Sequence, residues 1–90
     1  MGLQQQVMDQ MKMAMKAKDT VALESLRAIK SALLLAKTSG QGDLSEDDEV
    51  KLVQKLVKQR KDSATIFSDQ GRQDLADPEL AQIAVLEQFL

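Results

Sequence analysis

The chain has 90 residues, 43% of them hydrophobic and 29% charged, with a formal net charge of −2 and a pI near 5.0. This is the composition of one small folded domain that can build a core without covalent staples, not of a disordered segment. The absence of cysteine and histidine excludes disulfides, thiolate nucleophiles, Cys/His zinc sites and imidazole bases together, and the acidic balance argues against a dedicated nucleic-acid binder, leaving only a local basic patch for that role.

No apolar run approaches the length of a membrane span, and the first residues lack a basic region followed by an apolar one. The expectation is therefore neither a membrane span nor a signal peptide, no membrane partner, and a cytoplasmic location.

The first helix is expected over about residues 3–17, where Leu3, Val7, Met8, Met11 and Met15 recur at steps of three and four. Lys12, Lys16 and Lys18 fall towards its end, where cations complement the helix dipole. The methionines at 8, 11, 13 and 15 suit either flexible core filling or an adaptable binding groove. Core filling is the expected use.

A second helix over about 20–38 starts from Asp19 or Thr20 as cap. Ala22, Leu26, Ile29, Leu33 and Ala36 make one stripe, while Leu23 and Leu34 lie on another face. A helix apolar on more than one side is packed on two flanks, which makes it the centre of a bundle. Gly40 and Gly42 end it.

The third helix, over about 45–70, opens with Ser45 as cap and Asp48 completing an S-x-x-D capping box. The acidic run Glu46 to Glu49 fans around the helix axis, so its carboxylates cannot converge on one ion and no metal is expected. Val50, Val53, Leu56, Val57, Ala64 and Phe67 form the apolar stripe, and Lys51, Lys55, Lys58 and Asp62 form the opposite face. Arg60 falls in the middle of the apolar stripe, not on the surface. The helix should stop at Gly71, a residue suited to a left-handed C-cap with positive φ.

The last helix is expected over about 77–90, with Asp77 as cap, Pro78 at the first helical position and Glu79 in the first turn. Leu80, Ile83, Ala84 and Leu90 make its stripe, with Glu87 inside it. Because a buried charge needs a partner, Arg60 is expected to pair with Glu87 first and Asp74 second.

These elements define the fold class as all-α, a small four-helix bundle with a central second helix, in one domain over residues 1–90. Lys51, Lys55 and Lys58, with Lys61 nearby, are the candidate surface for nucleic-acid phosphates, and equally a solvated face. Phe67 and Phe89, the only aromatics, fall at core positions and so offer no stacking platform. Arg60, Arg72 and Asp74 form a polar motif open to two readings, ligand contact or helix-end contact. No catalytic constellation and no cofactor site is present: a lysine-activated serine in a glycine-rich loop and a phosphate-cradling loop are both missing, and "GRQDL" has a lone glycine.

The pieces "DQMKMAMKAKD", "LRAIKSAL", "LVKQRKDSATIF" and "GRQDLADPELAQIAVLEQFL" together resemble the YqeY-like (GatB/YqeY) family over essentially the whole chain. Members of that family are longer, with an N-terminal helical half and a smaller C-terminal domain similar to the tail of the amidotransferase B subunit that corrects mischarged Glu-tRNA or Asp-tRNA. The resemblance implies that this chain is the N-terminal helical domain, without the C-terminal tail-like domain. It also implies an association with tRNA or an amidotransferase/aminoacyl-tRNA complex, mainly through that second domain. The expected function is that of a non-catalytic binding or adaptor domain. The alternatives are a subunit of a carbon–nitrogen ligase, using glutamine as amide donor, that completes its site only with a partner, and a helical module dimerising through Leu23 and Leu34.

Overall fold

Four helices follow one another in the computed structural model, which describes residues 2–41 and 43–90: α1 (Leu3–Ala17), α2 (Thr20–Ala36), α3 (Glu46–Asp69) and α4 (Gln73–Glu87). Local chemistry accounts for most of their ends. Asp19 caps α2 by accepting from the Ala22 amide at 3.0 Å. Ser45 and Asp48 close a reciprocal capping box on α3, the Ser45 hydroxyl accepting from the Asp48 amide at 3.1 Å and the Asp48 carboxylate from the Ser45 amide at 3.3 Å.

Two helices end in the same hydrogen-bonded turn. At the end of α3, the Gly71 amide donates to the Ser68 carbonyl at 3.0 Å and the Arg72 amide to the Phe67 carbonyl at 2.8 Å, with Gly71 at φ +73° as its sequence context predicts. This is a Schellman motif. At the end of α1, the Lys18 amide donates to Met15 and the Asp19 amide to Ala14 in the same pattern, with Lys18 at φ +55°. Past α2 the chain continues as a wide turn, Lys37–Gln41, in which Gly40 takes φ +85°. Gly42, expected to share that role, lies outside the described residues.

The second helix is central. It packs on α1, α3 and α4, while α3 and α4 pair most extensively with each other. Leu3, Val7, Leu26, Ile29, Leu33, Val53, Val57, Ile83 and Leu86 form the core, drawn from all four helices. Ser25 is also fully buried, its hydroxyl satisfied by the Val21 carbonyl at 2.9 Å. The pair α3 and α4 runs on beyond this core to a junction where Ala64 and Ala76 are buried.

Several expectations are corrected. The fourth helix begins at Gln73, not Asp77, so Pro78 lies inside it and Asp77 is no cap; the Asp77 carboxylate instead accepts from the Gln73 side-chain amide at 2.7 Å. Its buried stripe is Ala76, Ile83 and Leu86, leaving Leu80, Ala84 and Leu90 exposed and Glu87 outside the stripe. On α1 the methionines are not mainly core: Met11 packs against it, whereas Met8, Met13 and Met15 are exposed and the buried positions are Leu3, Val7 and Ala14. On α2, Leu23 packs against the core from a half-buried position, and Leu34 is exposed.

Candidate binding groove

A trough of about 630 Å³ lies between α2 and α3. Its α2 wall carries Ala32, Leu35 and Ala36, and its α3 side carries Leu52 and Leu56, with Leu44 from the connection between them. Lys51, Lys55 and Gln59 line the α3 side beside those leucines, with Asp48 at one end. Leu35 is 70% exposed, so a large aliphatic side chain stands in solvent beside the trough. The sequence offers a reason: Leu35 falls off the stripe that Ile29 and Leu33 bury in the core, on the flank of α2 that faces away from it.

The four lysines proposed as a phosphate surface are split. Lys51 and Lys55 line the trough. Lys58 is committed to Asp62, one turn on, at 2.9 Å. Lys61 borders a different hollow, of about 400 Å³, with Thr65, Ser68, Gln73, Ala76 and Leu80. Among the described residues, Lys51 and Lys55 take part in neither of the two ion pairs, Lys58–Asp62 and Arg72–Asp74.

The polar motif also divides. Arg60 is half-buried on α3; its Nε donates to Gln82 Oε1 at 2.8 Å and its Nη1 to the Leu56 carbonyl at 3.1 Å. Gln82 in turn donates from Nε2 to Glu24 Oε2 at 3.1 Å. The expected pairing with Glu87 or Asp74 is thus corrected. Glu87 faces solvent, Asp74 is taken by Arg72, and the acid that balances Arg60 is Glu24 of α2, reached through a neutral amide of α4. Sequence reasoning missed both Gln82 and Glu24. The available signal was that Gln82 sits beside Ile83 on the flank of the buried stripe of α4.

Arg72 and Asp74 grip each other in a two-bond fork, Nε to Oδ1 at 3.0 Å and Nη2 to Oδ2 at 2.9 Å, with both side chains more than half exposed. The Arg72 guanidinium holds the Asp74 carboxyl below its usual range, helped by the amides of Asp74 and Leu75, and Asp74 in turn raises Arg72. The five main concavities among the described residues include none of Arg60, Arg72 and Asp74 in their linings. Two arginines and an aspartate that appear as one motif in sequence therefore sit at two separate places, Arg60 between α3 and α4 and the Arg72–Asp74 pair at the start of α4.

The model of the family described as Yqey-like protein matches residues 4–90. The chain belongs to the YqeY-like family. Among curated proteins, similar chains are "Altered inheritance of mitochondria protein 41, mitochondrial" of Lachancea thermotolerans, 35% identical over 81 residues, 89% of this chain and 43% of that one, and its namesake from Clavispora lusitaniae, 34% identical over 80 residues, 89% of this chain and 46% of that one. A third, from Pyrenophora tritici-repentis, is 30% identical over 79 residues, 88% of this chain and 44% of that one. The YqeY-like chain spans less than half the length of the curated relatives it matches. All three are named as mitochondrial proteins, which overturns the expectation of a cytoplasmic location. That expectation rested on the lack of a span and of a secretory leader, and neither feature distinguishes the cytoplasm from the interior of an organelle.

Proposed function

We propose that this YqeY-like chain is a non-catalytic helical binding domain, an adaptor for tRNA-dependent amidation or for tRNA handling more broadly, and that it binds through the trough between α2 and α3. The observation that carries the binding role is Leu35, 70% exposed beside a trough that Leu52 and Leu56 line from the other helix. Binding sites are commonly concave and lined by apolar side chains with a few polar groups at their edge. The adaptor role has a second support in the chemistry: the sequence lacks cysteine and histidine, and the arginines that a partner-completed enzyme would need are occupied at Gln82 and Asp74. The link to tRNA rests on the resemblance of the family's C-terminal domain to the tail of the amidotransferase B subunit.

The test places a photoreactive residue at Leu35 and, as a control, at Gln10 on the exposed side of α1, in cells, and reads the crosslinked products by RNA sequencing and mass spectrometry. The expected result is a product set specific to the Leu35 position that includes tRNA-handling components. Identical products from both positions, or ammonia released from glutamine by the purified chain, would count against the reading.

A further inference from the structure

We infer that the occupant of the trough is an amphipathic helix of a partner protein, with acidic side chains flanking its apolar face. This rests on the trough being the binding surface, and adds what binds there. The first ground is shape. Along α3 the lining residues run from Asp48 to Gln59, about three helical turns or ~16 Å, so the concavity is elongated along a helix and lies between two helices. A partner helix presents anchors at i, i+3, i+4 and i+7 over the same length, and such a trough is the usual receptor for it.

The second ground is the lining chemistry. Leucines 35, 44, 52 and 56 with Ala32 and Ala36 supply the apolar surface, and the trough contains no aromatic ring. A nucleic acid would set phosphates and sugars against those leucines without a stacking partner for its bases, whereas the apolar stripe of a helix would bury them.

The third ground is charge. Lys51 and Lys55 stand one turn apart, line the trough and take part in no ion pair among the described residues, while the next lysine on that face, Lys58, has Asp62. Two like charges at this spacing repel each other, and the carboxylate within the trough, Asp48, is held in the capping box of α3. In a chain of net charge −2 the lining of the trough therefore carries two lysines against one carboxylate, a small local excess of positive charge. Charges at an interface rim select the partner and its orientation more than they add affinity, so the prediction concerns preference.

The experiment uses the full chain, labelled with ¹⁵N, and two synthetic helical peptides of about 18 residues with the same leucine face, one flanked by glutamates and the other by lysines. The glutamate peptide should bind at least about tenfold more tightly than the lysine peptide in low salt and shift the amides of Leu35, Lys51, Leu52, Lys55 and Leu56. The double variant Lys51→Glu/Lys55→Glu, whose exposed positions leave the fold intact by circular dichroism, should reverse that preference. Equal affinity for the two peptides, or shifts confined to other faces, overturns the inference. A deacylated tRNA that shifts the same amides and binds more tightly than the glutamate peptide overturns the acidic helix as occupant while leaving the trough as the docking surface. If neither peptide nor tRNA moves those amides, both the inference and the docking surface fall.

Discussion

Lys18 and Gly71 occupy equivalent places at the ends of α1 and α3, each with positive φ and each followed by a residue whose amide reaches back into the helix, to Ala14 or to Phe67. Glycine takes this conformation without penalty, whereas the Cβ of lysine is crowded by the neighbouring carbonyl. Gly71→Ala should therefore destabilise by about 1 kcal/mol. A Cβ at Gly71 meets no atom within 4 Å, so the backbone conformation alone carries that cost. Lys18→Gly should stabilise by up to about 1 kcal/mol, less whatever the added freedom of the unfolded chain takes back. Urea unfolding of the three proteins side by side gives the answer; midpoints that do not separate in opposite directions would remove the strain account.

Asp74 offers a separate test at the same scale. Its folded pKa is depressed, so the stabilisation it contributes is complete above the ordinary aspartate value, about 3.9, and is lost as pH falls through the lower folded value. Carboxyl NMR titration should find Asp74 below the ordinary aspartate range, and Arg72→Ala should bring it back up. Because the pair is exposed, global stability should change little in that variant.

The fourth helix shows how a correct local rule can be applied at the wrong place. Asp-Pro-Glu is a helix opening by composition, yet the chain has already turned at Gly71, and the Arg72 carbonyl accepts from the amides of Leu75 and Ala76, so the helix is under way before Asp77 is reached. Pro78 is then the sixth residue of α4. Its missing amide would have faced the Asp74 carbonyl, and its ring crowds that group. Pro78→Ala is expected to stabilise the protein by about 1 kcal/mol, well under the ~3 kcal/mol typical of a mid-helix proline because the site lies near the N-terminus and the unfolded chain gains freedom. A proline at the first helical position would predict the opposite sign, so thermal unfolding of this variant distinguishes the two boundaries. The earlier start also brings Ala76 into the helix, from which steps of seven and three lead to Ile83 and Leu86, the residues that the core buries.

Across the whole molecule, one polar chain ties three helices: the Leu56 carbonyl and Arg60 on α3, Gln82 on α4 and Glu24 on α2. Gln82 is its pivot, accepting from the arginine and donating to the glutamate. Gln82→Ala strands a half-buried guanidinium and should cost about 1–2 kcal/mol, the scale of an unsatisfied polar group. Replacing both Gln82 and Arg60 by leucine and methionine removes the need for pairing and should cost less than the single change. Chemical denaturation of the single and double variants is the measurement, and a double variant less stable than Gln82→Ala would show that the network contributes more than mutual satisfaction. Helix α2 can serve as the centre because it meets α1, α3 and α4 on different flanks, and the trough runs along its contact with α3.

By itself the sequence determined what is governed by neighbours within a few residues: the helical class, the caps at Asp19 and Ser45, the stop at Gly71, and the central role of α2, whose double apolar face admits no other place in a bundle. The family was legible too, because its motifs are contiguous runs. Tertiary structure decided whatever depends on rotation about a helix axis and on partners far apart in the chain. Local spacing admits a stripe of Leu80, Ile83, Ala84 and Leu90 on α4, and packing buries Ile83 with Ala76 and Leu86 instead. The partner of Arg60 is separated from it by 22 residues, and the glutamate that follows lies 58 residues back from that glutamine, so no local spacing could identify either. The trough belongs to the same class. Leu35 and Leu52 are ordinary helix residues on separate elements until packing sets them on opposite sides of a concavity.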